Sequence, residues 1–343
     1  MKRTITRQDQ PNTLKLELTQ GCNLSCSFCG INGIDVKKGQ YSFLTVDMAK
    51  TIADNLKKTG WNSKIEFGIR GEDTMNPNLL EIVSIFRERL SENQILLTTN
   101  GGGLVKNTVS KIKELMKYVN ILAIEEYSHA NIYNQIYPRI KYEFENVYRY
   151  PDDGINPYSR IGIKKHIIIF FRDIKKADYK IRICNNMAAI AAPPDYGYIG
   201  KRCPRPFREF PVRFDGKVVL CCNDWRGEYY CGNILTRSAE EVWQNERFMT
   251  ARRFLYNGLR TFRPCYGCNS RGHRVGLLPD RMGKKTLPLP TEEDVKYIKR
   301  AACVDTLTKP RLRKWERQAA WNKLLKNKLF PTRNNQYKKY MAV

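Results

Sequence analysis

The segment LELTQGCNLSCSFCGI, residues 16–31, holds three cysteines in eight positions as Cys22-x3-Cys26-x2-Cys29. Thiols this close could pair as disulfides, fill space as small apolar groups, or hold a metal centre. Disulfides belong to oxidising compartments. The opening MKRTITRQDQPNTLKLELT carries basic residues but no apolar stretch of signal-peptide length and no small-residue cleavage site. No run of 18 apolar residues occurs, so the sequence predicts no membrane span and a cytoplasmic chain. Eleven cysteines there point to metal or redox chemistry. Structural zinc takes four ligands, commonly in two separated pairs. Three thiolates from one short loop instead suit a cubane iron–sulfur cluster, which four normally complete. The missing fourth ligand leaves one iron with an open coordination position.

Phe28 stands directly before the third cysteine, and the alternating TLKLELT (13–19) leads in as a half-buried strand. With these neighbours the segment resembles the signature of the radical S-adenosylmethionine (SAM) superfamily. The resemblance implies a [4Fe–4S] cluster on Cys22, Cys26 and Cys29 whose open iron chelates SAM. It implies an electron donor such as a flavodoxin or ferredoxin, and reductive cleavage of SAM to a 5′-deoxyadenosyl radical that abstracts hydrogen from a substrate. In FGIRGEDTMNP (67–77), Gly71 and Glu72 match a Gly-Gly-Glu-Pro-like turn whose glutamate grips the SAM amino group. Arg70 replaces the first glycine of that turn and Asp73 the proline. A carboxylate beside an α-amino group makes a charge-assisted hydrogen bond, and a glycine lets the backbone come close. The plain alternative is an ordinary loop with an exposed acid. TTNGGG (98–103) ends the third long strand, where barrel enzymes place ligands. Asn100 and Phe28 are therefore expected at the cofactor with Gly71 and Glu72. Glu125 and Glu126 end the next strand, where the family often presents Ser or Asp, and stay unassigned.

The elements that must position these residues alternate in type. TVDMAKTIADNLKKTG (45–60) puts Ala49, Ile52, Ala53 and Leu56 on one helical face, with Thr45 as N-cap and Gly60 at the C-terminal end. KIEFGI (64–69), QILLTTN (94–100), NILAIEEY (120–127) and IGIKKHIIIFF (161–171) read as strands. NPNLLEIVSIFRERL (76–90) and VKNTVSKIKELMKYV (105–119) read as helices. This rhythm predicts an α/β fold with a parallel sheet covered by helices, and agrees with the family's partial (β/α)6 TIM-like barrel. The barrel is expected over 13–200, after a short lead at 1–12, and 128–160 reads as an irregular excursion.

A second group runs Cys203-x17-Cys221-x43-Cys265-x2-Cys268. Four thiols close a cubane completely. The Gly216-x4-Cys221 spacing, Cys221-Cys222-x-Asp224, Gly232-Asn233, a Glu-x-x-Trp helix at 240–243 and the closing Cys-x2-Cys resemble the twitch domain, the short form of the SPASM extension. The resemblance implies one auxiliary [4Fe–4S] cluster in a small α+β domain at 201–280, with electron transfer or a structural part as its role. A zinc ribbon is the alternative, weakened because Cys203 and Cys221 are not a close pair. Cys222 and Cys231 are alternative ligands but read first as buried neighbours. Cys184 and Cys303 read as structural, His273 as a surface residue, and His129 and His166 carry no motif.

The formal charge of +26 is unevenly spread, with about +12 in residues 281–343. LPDRMGKKTLPLPTEED (278–294) reads as a linker, and KPRLRKWERQAAWNKLLKNKLF (309–330) as a basic helix bearing Trp315, Trp321 and Phe330. Such a tail fits a polyanionic partner, nucleic acid first. The alternative is a solvated helix docked on the barrel. The expected substrate is a nucleic-acid base, in RNA modification or in the base hypermodification of some phage genomes. The second candidate is a peptide or small metabolite handled by a maturase or dehydrogenase.

Overall fold

The computed structural model describes residues 10–26, 28–127, 131–150, 152–155, 161–171, 185–270 and 287–301. The first half runs β1 (Thr13–Leu16), β2 (Thr19–Gln20), β3 (Ser42–Phe43), α1 (Val46–Thr59), β4 (Lys64–Phe67), α2 (Leu79–Arg89), β5 (Ile95–Thr99), α3 (Thr108–Met116) and β6 (Ile121–Glu125). It continues through α4 (Ile132–Ile140), β7 (Val147–Tyr150), β8 (Ile167–Phe171), β9 (Glu209–Val212), β10 (Lys217–Val219), β11 (Tyr230–Asn233), α5 (Ala239–Gln244), α6 (Glu246–Tyr256) and α7 (Glu292–Ala301). Nine strands form one sheet in the order β11-β10-β9-β1-β4-β5-β6-β8-β7. From β9 to β7 every pairing is parallel.

Strand alternation gives the sheet two unlike faces. Leu14, Leu16, Ile65, Phe67, Leu97, Ile124 and Phe170 share one core with the inner residues of the helices. Ala49, Ile52, Ala53 and Leu56 of α1 are buried in it as their spacing predicts, between a Thr45 Oγ1 cap on the Met48 N–H and a left-handed Gly60. The other face carries the charged Lys15 and Glu66 of β1 and β4, while β5, β6 and β8 put the apolar Leu96, Ala123 and Ile169 there.

Several expectations change. The stretch 128–160 contains α4 and β7. Ile132, Ile136 and Ile140 are buried at helical spacing, and Pro138 inside the helix masks the pattern. β8 inserts between β6 and β7, so the last strands do not follow chain order. The expected strand 161–171 begins only at Ile167. The sheet also crosses the expected boundary at 200/201, since β9 pairs in parallel with β1, Lys15 opposite Pro211. Pro211 hides that central strand, because proline cannot donate to the ladder. The linker read at 278–294 ends in a capped helix. Thr291 Oγ1 accepts the Asp294 N–H at 3.2 Å, and the Thr291 N–H donates to Asp294 at 2.8 Å. This helix docks on α6 through the Arg253–Asp294 pair and the fully buried Ile298. Trp315, Trp321, Phe330, Cys184, Cys303, His129 and His273 lie outside the described residues.

Asn55 of α1 joins the barrel to the second half. Its Nδ2 donates to the carbonyls of Ile234 at 2.8 Å and Arg237 at 2.7 Å, and its Oδ1 accepts the Ala239 N–H at 2.9 Å. Asn55→Ala leaves these groups unpaired and is expected to lower unfolding stability by about 1–3 kcal/mol in a denaturant titration.

Candidate functional site

The three thiols project from one loop between β2 and the short turn at Gly30–Gly33. The loop is held by its own backbone. The Cys29 N–H donates to the Cys26 carbonyl at 3.0 Å, and Asn32 Nδ2 donates to the carbonyls of Cys26 at 2.7 Å and Cys29 at 3.0 Å. Cys22 Sγ accepts the Leu24 N–H at 3.4 Å and Asn100 Nδ2 at 3.5 Å. Asn100 Nδ2 also donates to Asn23 Oδ1 at 2.8 Å, fixing the end of β5 to the cysteine loop.

Glu72 enters from the end of β4 and is 2% exposed. Its Oε2 accepts the Asn100 N–H at 2.7 Å, and its Oε1 accepts the hydroxyls of Thr74 and Thr99 at 2.5 Å. Burial nevertheless pushes its carboxyl pKa up. Gly71 is required beside it. Its φ is +68°, and a Cβ there would sit 2.0 Å from the Thr19 carbonyl oxygen. An ordinary loop would leave the acid exposed, whereas here it is buried and clamped. Asp73, at the family's proline position, accepts the Gly68 N–H at 2.6 Å and the Leu18 N–H at 3.2 Å, tying the ends of β4 and β1. Arg70, at the glycine position, donates through Nη1 to the Asp224 carbonyl at 3.0 Å.

Phe28 packs its ring 5.5 Å from that of Tyr127, whose hydroxyl donates to Glu125. Glu125 therefore belongs to the site after all. Together with Tyr127, Thr74, Thr99 and Asn23 it was not assigned from sequence. The Thr-Thr-Asn run before the glycines held a signal for Thr99; Tyr127 had none. Burial pushes Cys22 up to about 11 and Cys29 up to about 12, and the nearby charges of Glu72, Glu125 and the other thiols add to it. The charges of the three thiols, Glu72 and Glu125 act on one another, an environment that a cationic guest such as an iron cluster or the ammonium of SAM would relieve.

The second cysteine group converges as well. Cys203, Cys221, Cys265 and Cys268, all buried, line one small cavity with Arg205, Arg260 and Ser270. Among the described residues no three side chains are drawn in as tightly as a single ion needs; a cubane, sharing its thiolates among four irons, asks for a wider set. Arg260 fixes the rim through the carbonyls of Lys201 at 2.9 Å, Cys268 at 3.0 Å and Arg202 at 3.0 Å. Burial raises the thiols of Cys203 and Cys265, and Arg260 opposes the rise. Two guanidiniums beside four thiolates offset the negative charge a fully ligated cluster carries. Cys222 does not line the cavity. Its Sγ faces Arg205 Nη1 at 2.8 Å and Lys15 Nζ at 3.8 Å. Cys231 is buried elsewhere beside the Tyr229 carbonyl, and His166 bonds the Val119 carbonyl.

Glu72→Gln keeps the shape and removes the charge. SAM affinity of the anaerobically reconstituted protein is expected to fall about tenfold to a hundredfold in a calorimetric titration, with iron content unchanged.

Comparison with known proteins agrees with both centres. The radical SAM superfamily matches residues 16–147, and the SPASM iron–sulfur cluster-binding domain matches 203–269. The SAM-dependent 2-deoxy-scyllo-inosamine dehydrogenase of Niallia circulans is 22% identical over 259 residues, 75% of this chain and 92% of that protein. The GTP 3′,8-cyclase of Pasteurella multocida is 27% identical over 168 residues, and the match spans 47% of its length. The crystal structure of BtrN in complex with AdoMet and 2-DOIA superposes with a TM-score of 0.56 at 19% identity, over 76% of this chain and 94% of that one. That likeness concerns the fold. No helix among the described residues is long and apolar enough to cross a membrane. The two matches bring their cofactors with them: a [4Fe–4S] cluster and SAM for the first, an auxiliary iron–sulfur cluster for the second. With each match falling on one of the two cysteine centres, the chain belongs to the radical SAM superfamily and is an enzyme of SAM radical chemistry with a SPASM-type auxiliary domain.

Proposed function

We propose that the protein oxidises a polar small metabolite held between the two cysteine centres. The observation that carries this reading is the course of the chain along β1 and β2. Lys15 reaches Cys222, next to the auxiliary ligand Cys221, at 3.8 Å. Glu17 pairs with Arg70 at 3.5 Å. The Thr19 carbonyl lies under Gly71 of the SAM turn. Four residues of chain thus link the centres. Bound there, the first cluster with SAM supplies a hydrogen-abstracting radical and the auxiliary cluster an acceptor for one electron. Loss of a hydrogen atom, then of an electron and a proton, is a two-electron oxidation of substrate. Lys15 pairs with Glu66 at 3.6 Å and Glu209 at 3.4 Å, which keeps this end of the face polar. The dehydrogenase relative, named for an inosamine, supports a small hydroxylated or amine-bearing substrate.

At saturating SAM, Cys268→Ala is expected to keep releasing 5′-deoxyadenosine while the oxidised product disappears. Chromatography of the nucleoside and mass spectrometry of a panel of aminocyclitols and amino sugars read the two separately. The reading is lost if no panel member raises 5′-deoxyadenosine release above the substrate-free rate.

A second reading, modification of a nucleic-acid base, is favoured by the charge of +26 and its concentration in 281–343. It requires the chain to bind RNA or duplex DNA with affinity that falls steeply with salt. Because α7 is docked, the informative truncation ends at 301. Full-length binding with a steep salt slope, reduced in 1–301, supports this reading; weak and flat binding by both forms removes it.

A further inference from the structure

Residues 221–226 take part in both cysteine centres. Cys221 lines the auxiliary cavity. Three residues on, the same turn meets the SAM side. The Asp224 carbonyl accepts Arg70 Nη1 at 3.0 Å. The Trp225 ring fills the space over Gly30, where a Cβ would lie 2.1 Å from its Nε1. Arg226 Nε donates to the Gly33 carbonyl at 3.1 Å. Trp225 packs with Ile31, Ile34 and Ile190, and Cys22 and Cys29 lie against that cluster.

The turn is stiff. The Asp224 N–H donates to the Cys221 carbonyl at 3.0 Å. Its carboxylate accepts the N–H groups of Glu228 at 2.8 Å and Tyr229 at 2.9 Å. A shift of Cys221 is therefore passed on to Asp224 and Trp225.

Arg70 receives that shift on the other side. It is 3% exposed and directly precedes Gly71 and Glu72. Its guanidinium carbon lies 5.6 Å from the Trp225 ring centroid. Its Nε and Nη2 are buried without a hydrogen-bond partner, and Glu17 Oε2 stands 3.5 Å from Nη2. Burying a guanidinium whose donors are mostly unmatched is costly, so its contact with the Asp224 carbonyl is a demanding one.

We propose that Arg70 is a positioning residue that couples the two centres, tying the SAM-binding turn to the Cys221–Arg226 turn so that filling the auxiliary site tightens SAM binding. By linkage, SAM then stabilises the loaded auxiliary site by the same factor. The coupling involves no substrate and stands apart from the reaction proposed above.

The test uses the anaerobically reconstituted full chain and SAM titrations read from the electron paramagnetic resonance of the reduced first cluster. SAM affinity is compared with the auxiliary site loaded and with it removed by Cys265→Ser/Cys268→Ser, each with Arg70 and with Arg70→Met. With Arg70 the removal is expected to weaken SAM binding about tenfold, and in the Arg70→Met background less than about twofold. Equal affinity with and without the auxiliary ligands, or the same loss in both backgrounds, overturns the proposal. Should the ligand-free chain fail to fold, Arg70→Met alone, at full iron content for both clusters, decides. Faster amide exchange over Gly30–Gly33 is then expected, and unchanged exchange overturns the proposal.

Discussion

A carboxylate buried beside thiols is an arrangement that repels itself, and the SAM end of this fold is built to hold it. Burial and then Glu72 raise the pKa of Cys22, burial raises that of Glu72, and Asp73 is pushed well above its ordinary value by burial and then by Glu72. Such a group stays in place only if donors surround it. The donors come from different elements: Thr74 from the turn after β4, Thr99 and the Asn100 N–H from the end of β5. The Glu72 N–H in turn donates to the Gly21 carbonyl at 2.9 Å, just before the first cysteine. The ends of β2, β4 and β5 are thus drawn to one residue, and a left-handed glycine at 71 lets the chain pass over Thr19.

The auxiliary domain is part of the same body. β9 adds to the barrel sheet beside β1, and its Phe210 packs 5.5 Å from Trp61 and 6.0 Å from Trp243. Barrel and auxiliary elements therefore share one aromatic core, which Phe248 extends from α6. With α1 fixed through Asn55 and the cysteine loop through Arg226, the domain touches the barrel at its sheet, its helices and its cofactor loop. Relative motion of two separate domains is the usual expectation across a small polar interface; a continuous sheet removes it.

Much of this was legible in the sequence, because it rests on spacing. Cysteine intervals, a Gly-Glu pair after a strand and the helical period of α1 are local patterns, and each marks a position that the structure uses. What sequence hid depends on contacts far along the chain. Nothing near Pro211 announces a central strand, since the neighbour that makes it one is β1. Nothing near Tyr127 says that its ring will meet Phe28. Arg70 and Asp73 looked like losses from a motif. Their partners, the Asp224 carbonyl in one case and the Leu18 and Gly68 amides in the other, show them as replacements with contacts of their own.

The second face of the sheet is buried yet carries charge. Parallel strands covered on both sides read as continuous apolar runs, yet β1 places Lys15 on the side away from the helices, β4 adds Glu66, and β9 adds Glu209. Ion pairs buried this deeply contribute little net stability, since desolvation cancels most of their attraction. Lys15 and Arg205 both reach Cys222, and Arg205 also holds Ser270 on the auxiliary cavity at 2.9 Å. The network joins the floor of the face to the wall of the auxiliary site, while β5, β6 and β8 leave the rest of the face apolar around Ala123 and Ile169. The face is thus polar at the auxiliary end and apolar along the other strands.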